Sequence, residues 1–135
     1  MKRSALIIAT LCAMLLLAAV LPAAASSRHP FRGNWRGIDV DGSTISLWIV
    51  EESRSGGKVF EIRAHDDRTG EWCGGPANMR AIGVLETDTT IATSLVWWCL
   101  PSADSWFYFL PDVLTYDAAT DTIFDTFGVT YTRSR

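Results

Sequence analysis

What this chain lacks narrows its chemistry before anything else does. No GxSxG elbow, no HExxH pair and no glycine-rich phosphate loop occurs anywhere in its 135 residues. Histidine is confined to His29 and His65, and neither forms a metal-ligand spacing with the cysteines. Positive charge is also short: beyond Lys2 and Arg3, ten basic side chains face fifteen acidic ones, a net charge of −5. A body of that sign lacks the field a phosphate backbone requires, which excludes nucleic acid as a partner. No cofactor-binding pattern is present. Helical periodicity is missing after residue 26, and the length allows one domain with one core.

The long apolar run that does exist is a targeting signal. Lys2 and Arg3 precede Ala5 to Leu21, broken only by Thr10, and Pro22 then leads into Ala23, Ala24 and Ala25. Charge, apolar stretch and small-residue box in that order predict a secretory signal peptide over residues 1–25, cleaved near Ala25. The run is 17 residues, short of the roughly 20 a membrane helix needs. The expected product is secreted or periplasmic, with no membrane span, a tail over residues 26–32 and a single domain over 33–135. Cleavage removes Cys12 and leaves Cys73 and Cys99, which in an oxidising compartment should pair.

The body reads as strands. Twelve threonines and fifteen aromatics accompany two-residue alternation. Asp41 and Gly42 lie between Trp35–Val40 and Ser43–Glu51, a hairpin signal because both turn residues tolerate positive φ. Lys58 to His65 places Phe60, Ile62 and Ala64 on a core face, and Asp66 to Gly70 turns. Asn78–Leu85 pairs with Thr90–Leu100. Trp106–Leu110, Val113–Tyr116, Thr122–Asp125 and Val129–Arg133 complete a meander. The expectation is an all-β, eight- to nine-stranded antiparallel up-and-down β-barrel with one disulfide, since a meander must curl to hide its edges.

The polar candidates have plain explanations. His65 beside Asp66 and Asp67 would suit a base and its orienter, but reads more simply as a strand end entering a turn. Asp39, Asp41 and Gly42 echo part of a calcium loop without its further ligands. Asp117, Asp121 and Asp125 suit side-chain turns. No catalytic residue is assigned, and a non-enzymatic role is expected.

Aromatics carry the rest of the signal. Trp97 and Trp98 are adjacent, so they face opposite sides of one strand; Ile91, Leu95, Trp97 and Cys99 are assigned to the inside. With Phe107 and Phe109 also inside, Trp98, Trp106 and Tyr108 form an outer patch suited to sugar rings or a protein partner. With the opposite parity these rings line a cavity. Trp48, Trp97, Trp98, Trp106 and Tyr108 are therefore the candidate ligand-binding residues.

Gly33-Asn34-Trp35 at the start and Tyr131-Thr132-Arg133 at the end resemble the GxW opening and late basic residue of the calycin-type barrels, the lipocalins, avidins and fatty-acid-binding relatives. That resemblance implies a lipocalin/avidin-like barrel in which Trp35 plugs one end and Arg133 stacks on it, both in structural roles. The C-terminal half also resembles small exported bacterial proteins of unassigned function. The leading expectation is a binding protein for a small apolar or aromatic ligand. The alternatives are a barrel-type protease inhibitor, similar to the small exported metalloprotease inhibitors of bacteria, acting through its 26–32 tail, and a glycan-binding surface.

Overall fold

The structure, a computed structural model, describes residues 29–101 and 108–134, with Glu71, Trp72 and Tyr108 described in backbone only. The expected leader, residues 26–28 of the tail, and Trp106 and Phe107 lie outside the described residues. Eight strands follow in chain order: β1 (Gly33–Ile38), β2 (Thr44–Glu51), β3 (Val59–Asp66), β4 (Ala77–Thr87), β5 (Thr90–Cys99), β6 (Tyr108–Asp117), β7 (Thr122–Phe124) and β8 (Thr130–Arg133). Each pairs antiparallel with the next, and β8 returns to β1 through Trp35↔Arg133 and Gly37↔Tyr131, closing a barrel. One helical turn, α1 (Gly70–Cys73), interrupts the β3–β4 connection. Among the described residues no helix is long and apolar enough to cross a membrane.

The Asp41-Gly42 hairpin is present with a different turn. Asp39 N donates to Ser43 O at 2.9 Å and Gly42 N to Asp39 O at 2.9 Å, with Gly42 at φ 84°. This is a three-residue loop in which the glycine takes the left-handed bulge position, so the strands stop at Ile38 and resume at Thr44. Asp125-Thr126-Phe127-Gly128-Val129 repeats the same pattern, with Gly128 at φ 94°.

The strand count resolves to eight because β6 runs straight through Pro111. Pro111 sits opposite Ser94 on β5, but the ladder from β6 to β7 covers only Thr115–Asp117. At Pro111 the strand therefore has a neighbour on one side only, where a missing N–H is tolerated. Side chains hold the seam there: Asp112 Oδ1 accepts from Thr126 N at 3.0 Å and from Thr126 Oγ1 at 2.7 Å.

The continuous strand also corrects the parity of β6. Asp112 and Leu114 are buried inside, whereas Phe109 is 73% exposed. Phe109 is an outer residue, opposite to the expected interior position. On β5 the expected phase stands, with Ile91, Leu95 and Cys99 buried.

One end of the barrel is filled. Phe31, Phe60 and Ile91 are fully buried there with Trp35, and the rings of Phe31 and Phe60 lie 6.2 Å apart. Trp35 Nε1 donates to Phe31 O at 2.8 Å. The Arg133 guanidinium lies 4.0 Å from the Trp35 ring centroid and donates to Pro30 O and Arg32 O, each at 2.8 Å. Asp121 pairs with the same guanidinium at 2.9 Å. Residues 29–32 are thus part of the plug. Within the expected 26–32 tail, Phe31 is thereby anchored in the core.

Gly83 faces inward where β4 crosses β3 and β5. A Cβ there would lie 2.5 Å from Ile91 Cγ2 and 2.9 Å from Ile62 Cδ1. Glycine lets those two branched chains meet across the interior.

Candidate functional site: an acidic-mouthed lumen

Away from the plug the lumen stays open as a cavity of about 680 Å³. Alternation along each strand builds its walls. Ile45 and Leu47 come from β2, Ile62 and Ala64 from β3, Met79 from β4, Leu95 and Trp97 from β5, and Leu110 and Leu114 from β6. The walls are mostly aliphatic because the same period-two pattern that fills the plugged end continues to the mouth.

Loops frame the mouth. In the two matching hairpins, Val40 is 85% and Phe127 47% exposed, and both line the opening. The β3–β4 connection carries α1 and is tied to the end of β5 by the Cys73–Cys99 disulfide, Cα atoms 5.4 Å apart. Within that connection Thr69 Oγ1 donates to Gly75 O at 2.7 Å, and Leu100 N, just past β5, donates to Pro76 O at 2.8 Å. Gly70, at φ 50°, abuts the first hairpin: a Cβ there would lie 2.9 Å from Asp41 Oδ2. The two loops therefore support one another.

Five aspartates line the cavity: Asp39, Asp41, Asp66, Asp112 and Asp125. Asp39 and Asp41 organise the first hairpin, Asp41 Oδ1 accepting from Ser43 N at 2.8 Å, which holds its carboxyl below the usual range. Asp125 uses both of its oxygens. Its Oδ1 accepts from Phe127 N and Val129 N, and its Oδ2 from Tyr131 Oη at 2.8 Å. Burial nevertheless raises its pKa, and burial with Asp125 alongside drives the Tyr131 phenol far upward, so Tyr131 stays a donor.

Asp66 differs. It is 1% exposed, and its Oδ1 accepts from Arg68 N at 3.0 Å. Its Oδ2 is buried without a hydrogen-bond partner, as is the Ser43 hydroxyl. Burial raises the Asp66 pKa; the Arg68 amide and the nearby Ser43 hydroxyl pull it back in part, the hydroxyl without reaching hydrogen-bond geometry. His65 does not act on Asp66. Adjacent residues face opposite sides of β3, and His65 Nδ1 lies 2.9 Å from Asn78 Oδ1.

Of the residues singled out from the sequence, Trp97 lines the cavity. Trp48 is 40% exposed on the outer wall, and Trp98 is half-buried there, with Arg80 6.0 Å from its ring. These two stand on β2 and β5 with β3 and β4 between them, so they do not join in one platform. Tyr108 is described by its backbone pairing with Trp97, and Trp106 lies outside the described residues. The sequence pattern put Asp66 and Asp125 in turns, as Asp125 Oδ1 accepting from Phe127 N bears out for the latter, and left Asp112 unassigned; none of the three was placed in the lumen. A signal existed for two of them: Asp66 extends the inward parity of Phe60, Ile62 and Ala64, and Asp112 shares that of Leu110 and Leu114.

Among the described residues no group of three or more His, Cys, Asp or Glu side chains is placed to hold a metal ion. No protein family, curated protein or solved structure matches the chain.

Proposed function

We propose that the protein is an exported, non-enzymatic binding protein that takes a small apolar or aromatic molecule into the open end of its barrel. The observation that carries this reading is the aliphatic cavity of about 680 Å³, within the roughly 300–1,000 Å³ typical of small-molecule sites. Three of its hydroxyl groups are engaged internally: Thr69 on Gly75 O, Thr93 on Ile82 O and Tyr131 on Asp125. Such a lining suits holding a ligand rather than activating one. Export is proposed from the leader-like residues 1–25 and fits the disulfide at the mouth.

Titration of the disulfide-intact chain over residues 26–135 with the uncharged dye N-phenyl-1-naphthylamine tests it. One dye per barrel, with quenching lost in Trp97→Phe and uptake blocked in the cavity-filling Ala64→Trp, is the expected result. Absence of uptake by the folded protein overturns the proposal.

A further inference from the structure

The walls of the cavity are apolar, but its mouth carries charge of one sign. Five aspartates line it, and among the described lining residues there is no Lys, Arg or His. Arg68 stands close by, yet its guanidinium is exposed and reaches the Asp41 backbone carbonyl at 3.4 Å. Three of the five carboxylates build the hairpins that carry them. Asp39 and Asp41 cap their own hairpin at Val40 N and Ser43 N, and Asp125 holds two amides and a phenol.

Asp66 and Asp112 are the two that are buried, at 1% and 4% exposure, and hydrogen-bonded through one oxygen each, Asp66 to Arg68 N and Asp112 to Thr126. Asp66 Oδ2 is buried without a partner, and Asp112 accepts both its hydrogen bonds on Oδ1. A Ser43 hydroxyl turned onto Asp66 would be a neutral donor and would leave the charge uncancelled. Buried carboxylates with an unused oxygen and no counter-ion gain most from a ligand that supplies one.

We infer that the lumen is built for an amphipathic organic cation: an apolar body lying along Leu47, Ile62, Leu95 and Leu114, and an ammonium-type head at the mouth beside Asp66 and Asp112. This rests on the luminal-binding reading and adds the charge and orientation of the ligand. Fatty acids and other apolar anions are the disfavoured class, because their carboxylate would enter an acidic, weakly screened mouth.

Displacement of N-phenyl-1-naphthylamine by decyltrimethylammonium, decanol and decanoate, each below its micellar concentration, is the test. At low salt the cation should displace the dye at a concentration about tenfold or more below decanoate, with decanol between them. The paired Asp66→Asn and Asp112→Asn changes should remove most of that preference, read within each folded variant as the ratio of cation to decanol displacement so that any change common to all ligands cancels; each single variant should remove part of it, which keeps the test open if the double variant does not fold. Dye and decanol binding with no advantage for the cation refutes this inference and leaves the luminal reading standing. A preference that survives both substitutions refutes it as well, by placing the recognition elsewhere. Failure of the dye and all three competitors to bind the folded protein removes both readings together.

Discussion

Replacing Arg133 by methionine should cost the domain about 3 kcal/mol, because one guanidinium joins the last strand to the incoming chain. The methionine keeps the aliphatic stem and removes the charge. Two charge-assisted hydrogen bonds, to Pro30 O and Arg32 O, together contribute about 2 kcal/mol at this partly shielded site. The contact over Trp35 at 4.0 Å adds about 1 kcal/mol. The pair with Asp121 adds under about 1 kcal/mol, since the two side chains are 33% and 50% exposed. For a domain of this size the sum corresponds to a fall of about 12 to 20 °C in melting temperature. Urea and thermal unfolding of the disulfide-intact chain measure it. Arg133→Lys keeps the charge over the indole but not the fork that reaches both carbonyls, so it should lose roughly half as much. A loss below about 1 kcal/mol for Arg133→Met would refute the view that the two chain ends are locked through this residue.

Asp66→Asn should stabilise the fold by about 1 kcal/mol at pH 7, removing an uncompensated buried charge. Since the folded pKa of Asp66 is raised, its contribution is fully present below about pH 4 and is lost as pH climbs through the folded value. The advantage of the variant should therefore shrink on acidification, and a constant difference in melting temperature across pH would contradict the assignment. Gly83→Ala drives a methyl into Ile91 and Ile62 and should cost about 1 to 3 kcal/mol, read from the urea midpoint. Reducing the Cys73–Cys99 bridge opens a loop with a sequence separation of 26 and should remove about 3 kcal/mol; an unchanged transition after reduction would show that the bridge does not constrain the unfolded chain.

Strand order and the disulfide were legible because each rests on a local rule. Two cysteines lie in the body of the chain beyond the apolar N-terminal run, and Asp-Gly between alternating segments specifies a hairpin. Trp97 and Trp98 were separable because adjacency alone forces opposite faces. β6 was harder for two physical reasons. Its aromatic opening is apolar at every position, so period two leaves no mark there. Farther along, a buried aspartate stands where a hydrophobic residue would have fixed the phase, and Pro111 mimics a strand end. Asp66 was misread for the same reason: a carboxylate at the end of an apolar alternation looks like the start of a turn, although β3 carries it one step farther, into the interior. The acidic mouth was hidden because it is assembled from residues that each break the local pattern.

The uneven zipping of the barrel sets where it breathes. Eight paired positions join β3 to β4 and eight join β5 to β6, but three join β6 to β7 and three join β7 to β8. Short ladders open at lower free energy than long ones, so amides of β7 should exchange with deuterium well ahead of those of β4 and β5. Asp112 works there as a clasp, with one carboxylate oxygen fastening Thr126 where the ladder has run out. Release of that clasp would part the wall beside the cavity, so under the proposed luminal binding the rate of ligand exchange would be a property of the seam rather than of the width of the rim.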